Sequence, residues 1–497
     1  MVSKLLLRQC KSSRSVVCDT TNNEQQYLVP IFCETHDTFE SVLARSAFLF
    51  DTIISIGCRA EEGINSPMYH RLQSRVREHL TSVLINPINA PSLETIQAIA
   101  IMASYSENGF VSIAIALRFA LEIGLPDSVD QLLTIKSNRM QGPTEEEKGL
   151  YRIARVWYGI CNLELFFSLD GGKLPGITLD TSIRKIRALV SHQERTGIDI
   201  RLLSQVELNI IRCNAYRAIM ACSSTSILND DEGLIRKIVS DTTIELGLWI
   251  EEWAGIVSTD AAAHQRSSAL INLHIQYEWA IITLHLKALS DSGIENIALM
   301  NEFQRDMVRT AKEAAVRHLQ YIVQASTPPS PAASEDGDAP SQGLSQQSPT
   351  YLTTFRWTMD YVWAKCAFSV LLVLKLALLL RDPPSTLMLL LRDAHKVLEE
   401  LKKITVGHIA YFQILQVSIE KCEGALKEYM MQQPTATAIG QGLNGEEGEM
   451  NSASQAEKEF ERYVPSEFVF EWDFPGLNLK HVPLGWQDLF IDLDTVF

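Results

Sequence analysis

Apolar residues recur at intervals of three and four from about Thr38 to Gln324, and this periodicity limits most what the chain can fold into. Alternating runs of Val, Ile and Thr, which would indicate strands, are few in the same region. The chain has 497 residues, 46% of them hydrophobic, so it can bury a large core. The sequence therefore predicts an all-α fold, with a multi-helical body over residues 38–325.

Polar stretches divide the rest of the chain. Residues 326–350 are rich in Ser, Pro, Gly and Asp and cannot supply a packed face, so we expect a disordered insertion there. Helical periodicity resumes over residues 351–431, and its very apolar part, Trp363 to Leu380, must pack back on the body to leave water. We expect residues 1–37 to be a mobile N-terminal segment and residues 432–458 to be a flexible, Gly-containing linker.

The overall composition restricts the partners of the chain. Its formal net charge of -16 opposes the approach of phosphates, so we expect no direct, specific DNA binding by this chain. Its nine cysteines are scattered and odd in number, which fits a reducing compartment. The apolar stretch Ala367 to Leu380 is too short to span a bilayer and contains Lys375, so we expect no membrane contact and interpret it as a buried helix.

The stretch from Ser92 to Pro126 predicts two helices joined by a turn. Ser92 is a suitable N-cap for the first helix, and Gly124 can close the second in a left-handed conformation, with Pro126 preventing its continuation. Many alanines allow the two backbones to approach closely, which predicts an αα-hairpin. The inward positions are predicted to be Leu93, Ile96, Ala100 and Ala103, followed by Ile113, Ala116, Leu117, Ala120 and Leu121.

Two blocks of sequence have a recognisable spacing. The first contains Ser92-Leu-Glu-Thr-Ile-Gln-Ala and Ile115-Ala-Leu-Arg-Phe-Ala-Leu-Glu-Ile-Gly-Leu-Pro126. The second contains Arg155-Val-Trp-Tyr, Glu164, Ser168, Gly172-Lys-Leu-Pro175 and Ile177. Together they resemble the middle homology region of fungal-specific transcription factors, the zinc-cluster activators. Glu164 stands where that family usually has Asp, and Lys173-Leu174 replace its Arg-Pro.

The resemblance implies a helical regulatory domain in a nuclear regulator of transcription. Such a protein would be a pathway-specific activator or co-regulator, for example of a secondary-metabolite gene cluster, and some relatives respond to a small-molecule effector. Four basic residues near the N-terminus either serve as a nuclear-import signal or form a solvated tail: Lys4, Arg8, Lys11 and Arg14. The residues given a structural role by the resemblance are Gly124, Pro126, Arg155, Trp157, Glu164, Ser168, Gly172 and Pro175.

The DNA-binding zinc cluster of that family has no counterpart in this sequence, because no Cys-x-x-Cys pair occurs in it. Cys10, Cys18, Cys33 and His36 could be proposed as a single metal site, but isolated residues of this kind are usually unliganded. We therefore predict no metal and no cofactor, and expect a DNA-binding partner protein to recruit the chain. Either the natural protein lacks the module, or the gene model omits its first exon.

The C-terminal segment, residues 459–497, interleaves acidic and large apolar residues, as acidic activation segments do. A short helix formed there could bury its apolar side in a coactivator groove. The alternative is that the segment docks on the helical body of its own chain. Its predicted anchors are Phe470, Trp472, Phe474, Trp486, Leu489, Phe490 and Leu493.

Enzymatic interpretations have weaker support in the sequence. Asp230-Asp231-Glu232 lacks the spacing of a magnesium-binding carboxylate motif and suggests the start of a helix. His274 and His285 lack a third ligand at helical spacing, and Asp170 to Gly176 is neither a P-loop nor a dinucleotide fingerprint. We therefore predict a regulator and not an enzyme. The alternatives are an interaction scaffold outside transcription or, less well supported, a helical metal-dependent enzyme.

Overall fold

The structure is a computed structural model, and it describes residues within the span 31–427. The predicted N-terminal segment before residue 31, the insertion from residue 327 onward, the linker and the C-terminal segment lie outside the described residues. The described ranges are 31–33, 36–85, 90–105, 109–135, 142–171, 173–177, 183–224, 231–260, 263–289, 300–326, 360–380, 382–403, 415–417, 419–420, 422–424 and 426–427.

Helices account for the regular structure of these ranges, and no strand occurs within them, so the predicted all-α fold is confirmed. The helices are α1 (Phe39–Arg45), α2 (Ala47–Glu62), α3 (Pro67–Ile85), α4 (Leu93–Ser104), α5 (Gly109–Glu122), α6 (Asp127–Thr134), α7 (Glu145–Asp170), α8 (Ile183–Val190), α9 (Gly197–Ser224), α10 (Asp231–Asp260), α11 (Ala263–Ala288), α12 (Glu302–Ser326), α13 (Asp360–Leu379) and α14 (Pro384–Lys402).

Helix α7 lies at the centre of the body. It begins with a capping box, in which Glu147 N–H donates to Thr144 Oγ1 at 3.2 Å and Thr144 N–H donates to Glu147 Oε2 at 2.6 Å. Three acidic residues in its first turn interact favourably with the positive, N-terminal end of the helix dipole. Helix α7 packs against α4, α5, α6 and α9, so most of its length is buried.

Helices α4 and α5 form the predicted αα-hairpin. Ser92 caps α4 by accepting a hydrogen bond from Thr95 N–H at 3.2 Å, as expected. Gly109 begins α5, and a Cβ at this position would overlap the carbonyl oxygen of Ala103, so the close approach requires glycine. The predicted inward placement of Leu121 is wrong, because its side chain is 43% exposed and the smaller Ala120 lies on the buried side.

Helix α13 packs on the body through its apolar residues. Its buried residues join the main hydrophobic core, and Phe368 meets Trp279 of α11 edge to face, with ring centroids 5.8 Å apart. The helix also contacts α12 and α14. Taken singly, none of the described helices has both the length and the apolar character to cross a bilayer. Helices α5 and α6 together have the length and apolar character of a membrane span, but they are bent by 46° relative to each other.

Candidate functional site

Arg155 of α7 is fully engaged in the interior. It donates two hydrogen bonds to Asp199 of α9, at 2.6 and 2.7 Å, and a third to the carbonyl of Phe32 at 3.1 Å. Asp199 also accepts from Thr196 N–H at 2.8 Å. Burial disfavours the charge of Arg155, but the bonds to Asp199 outweigh that effect and raise its pKa. The residue therefore fixes the start of α9 against α7.

A second polar contact lies further along the same two helices. Asn162 of α7 donates from Nδ2 to Gln205 at 2.9 Å and accepts from Asn209 at 3.0 Å. Asn209 in turn accepts from Arg212 at 2.9 Å. These amides satisfy one another in a region otherwise filled by apolar side chains, so they tie α7 to α9 at mid-length.

The third contact lies at the end of α7. Asp170 forms a buried ion pair with Arg212 and also accepts from Trp279 Nε1 at 3.1 Å. Arg212 donates to Thr283 Oγ1 at 3.1 Å. The side chains of Asp170 and Arg212 are 0% and 3% exposed, so the pair needs these additional hydrogen bonds to offset desolvation. It joins α7, α9 and α11.

We name these three contacts the α7–α9 ladder. The residue numbers rise together, from Arg155 with Asp199 through Asn162 with Gln205 to Asp170 with Arg212. Helices α7 and α9 therefore run parallel, with α8 between them in the chain. At about 1.5 Å per residue, the ladder extends over roughly 20 Å. A shift of either helix by one turn would break all three contacts.

A lysine and a histidine lie beside the end of the ladder. Lys365 of α13 places Nζ 4.6 Å from the centre of the Trp279 ring. Burial lowers the pKa of Lys365 to about 7, with Asp170 opposing that shift and Arg212 adding to it. Burial also lowers the pKa of His318, on α12, to about 3. Sequence reasoning did not single out either residue, since neither belongs to a motif.

The structure describes the remaining residues named by the resemblance, except Gly172. Gly124 has φ +72° at the end of α5, and Pro126 precedes α6. Trp157 is buried in α7, and Glu164 accepts from Gly176 N–H at 2.9 Å. Burial raises the pKa of Glu164. Ser168 accepts from Lys173 N–H through its carbonyl at 2.9 Å, Pro175 is buried, and Gly172 lies outside the described residues.

Three of the residues considered for enzymatic chemistry have partners within the helical body. His274 stacks on Tyr321 with ring centroids 4.9 Å apart, and His285 is bonded through Nδ1 to the carbonyl of Ile281. Glu232 accepts from Asn301 at 2.5 Å at the start of α10. Within the described ranges, no group of three His, Cys, Asp or Glu side chains is placed to hold a metal ion. The contacts of His274, His285 and Glu232 lie within or between helices of the body.

The predicted activation anchors, Phe470 to Phe474 and Trp486 to Leu493, lie outside the described residues. The thiols of Cys10 and Cys18 do as well. Cys33 is described, and its N–H donates to Asp37 at 2.8 Å.

Comparison with known proteins finds a distant relative among the curated proteins. The chain is 27% identical over 242 residues to "Transcriptional activator of proteases prtT" of Emericella nidulans. The match covers 47% of this chain and 34% of the relative, about a third of its length. None of the protein-family models matches, and the solved structures give no significant match. The chain is thus a distant relative of a fungal transcriptional activator, while no family model identifies the middle homology region.

Proposed function

We propose that this chain is a regulator of transcription that acts in the nucleus through partner proteins. The observation that carries the proposal is its 27% identity, over 242 residues, with a fungal transcriptional activator. The all-helical body is consistent with it, since the resemblance implies a helical regulatory domain, and the α7–α9 ladder fixes the register of two of its helices. Pathway-specific activation, for example of a secondary-metabolite gene cluster, is the form of regulation that we propose.

The charge of the chain determines how it reaches its target genes. A net charge of -16 opposes binding to duplex DNA, since affinity for DNA comes largely from Lys and Arg on phosphates. A separate DNA-binding protein therefore brings the chain to promoters. Specific binding of duplex DNA by the purified chain, with a steep dependence on salt, would contradict this part of the proposal.

Activation itself is assigned to residues 459–497. Trp486, Leu489, Phe490 and Leu493 have the spacing of one helical face, and the intervening acids keep them hydrated until a coactivator groove takes them up. The aromatic residues would provide most of the affinity, while the acids would steer the encounter.

The test is a reporter assay with residues 459–497 fused to an unrelated DNA-binding domain. We expect activation, and a loss of at least tenfold when Trp486, Leu489, Phe490 and Leu493 are replaced by Ala. A matched variant with Asp488, Asp492 and Asp494 changed to Asn should retain more activity, because the apolar contacts remain. A fusion that is expressed but inactive would remove the activation segment from the proposal.

A second measurement concerns location. A fluorescent fusion of the full chain should accumulate in the nucleus of a fungal cell. Exclusion from the nucleus would contradict the transcriptional role and favour an interaction scaffold outside transcription.

A further inference from the structure

A half-open groove of about 470 Å³ lies where α4, the α5–α6 turn and the start of α7 meet. The first of the two sequence blocks with the family resemblance lines the groove through Leu93, Ile123, Gly124 and Leu125. The second block begins at Arg155, two residues beyond the lining residue Ile153. Its volume is within the range of about 300–1,000 Å³ typical of small-molecule sites. Its walls are mainly aliphatic, with one charged side chain among them: Leu93, Ile123, Leu125, Leu150, Ile153 and Arg152.

Gly149 lines the groove from within α7. Glycine inside a helix is destabilising relative to alanine, so its presence calls for a reason such as close packing. A Cβ at Gly149 would meet no heavy atom within 4 Å, so no neighbouring side chain or backbone requires the glycine. Gly149 is exposed and lines the groove, so a larger side chain at this position has room to extend into it.

Arg152 supplies a positive charge at the wall of the groove. Its ion-pair partner Glu94 is 3.6 Å away, beyond hydrogen-bonding distance, and Glu94 is hydrogen-bonded to Arg45 instead. The Arg152 side chain is only 17% exposed, so its interactions are weakly screened. A guanidinium in this position favours a planar anion that can accept two parallel hydrogen bonds, which is the geometry of a carboxylate. The amide of Gln131 offers a further polar contact at the groove.

We propose that this groove binds a small monocarboxylic acid with an apolar body. The carboxylate lies against Arg152, and the apolar part lies along the aliphatic wall beside Gly149. Charge complementarity selects the acid over a neutral molecule of the same shape. The proposal concerns binding alone and does not depend on a role in transcription.

The first experiment measures the preference for an acid. Octanoate and octanol are titrated into the purified full chain by calorimetry, at concentrations below octanoate self-association. We expect octanoate to bind at least tenfold more tightly than octanol. In Arg152→Gln, octanoate affinity should fall to that of octanol, while octanol affinity and the thermal midpoint stay nearly unchanged. Equal binding of the two probes by the unmodified chain, or no binding of octanoate, overturns the proposal.

The second experiment locates the site. Gly149→Leu fills the groove, so it should abolish octanoate binding without lowering the thermal midpoint. Gly255→Leu is the matched control, since Gly255 is also helical, exposed and without a heavy atom within 4 Å of a Cβ. It should leave octanoate binding unchanged. Undiminished binding in Gly149→Leu would place the ligand elsewhere. If a peptide of residues 486–497 bound with this dependence and octanoate did not, the groove would belong to the C-terminal segment.

Discussion

Arg155 and Asp199 hold each other through two hydrogen bonds, at 2.6 and 2.7 Å, with both side chains no more than 4% exposed. Removing one partner of such a pair leaves an uncompensated charge in the interior. We expect Arg155→Met to lower the free energy of unfolding by about 3–5 kcal/mol. Urea unfolding of the purified chain, followed by circular dichroism, measures the change.

Two further variants separate this effect from a general loss of charge. Arg155→Met combined with Asp199→Asn should recover part of the stability, because no charge is then left unpaired. Lys148→Met removes a cation of the same helix that pairs with exposed Glu145, and it should change stability little. If Lys148→Met cost as much as Arg155→Met, the burial of the pair would not be the cause.

Lys365 should make the free energy of unfolding depend on pH above about pH 7. Burial lowers its pKa from 10.5 to about 7, so between these values the unfolded chain binds the proton more strongly than the folded chain. The free energy of unfolding should therefore rise with pH across this interval, by at most about 1.4 kcal/mol per pH unit. Lys365→Met should remove most of the rise, measured as urea midpoints at pH 7, 8 and 9. The same slope in the variant would refute this assignment.

His318 should lower the stability of the fold at acidic pH. Its ring nitrogens find no hydrogen-bond partner in the part of the chain that the structure describes. Burial, helped by the charge of Lys365, lowers the pKa of His318 from 6.5 to about 3. Stability that is complete above pH 6.5 should fall as the pH drops toward 3, by about 2 kcal/mol at pH 5. His318→Phe should lose correspondingly less between pH 7 and pH 5, and an unchanged loss would exclude His318 as its source.

Two glycines should respond in opposite ways to alanine. Gly124 has φ +72°, and a Cβ there would lie 3.3 Å from Asp127 Oδ2, so Gly124→Ala should lower stability by about 1–2 kcal/mol. Gly149 is helical with open space around it, so Gly149→Ala should raise stability by about 0.5–1 kcal/mol. Thermal unfolding of the two variants gives the comparison. A loss in both would show that Gly149 is needed for packing.

Local signals in the sequence were sufficient for much of the fold. The cap at Ser92 and the end of α5 at Gly124 depend on residues a few positions away, and both were predicted correctly. At Gly124 the bonds from Gly124 N–H to Leu121 and from Leu125 N–H to Ala120 form a Schellman motif, which is a local structure. The resemblance identified Arg155 as structural but did not supply its partner.

What escaped prediction depends on tertiary contacts. Arg155 and Asp199 are 44 residues apart, and no local pattern connects them. Lys365 lies at the start of an apolar run, so the sequence around it gives no sign of a special role. Its environment includes Trp279, which lies on another helix. Leu121 satisfied the apolar spacing, but close packing through small residues makes the buried face of α5 narrower than spacing alone suggests.

The separation of these partners also sets an order of events as the chain folds. Asp170 and Arg212 are 42 residues apart, whereas α4 and α5 follow one another closely. Closing the longer loop costs more chain entropy, so the α4–α5 hairpin should form before α7 and α9 meet. Weakening the ladder should therefore accelerate unfolding more than it slows folding. The contacts that fix the final register would then govern how long the native state persists rather than how fast it is reached.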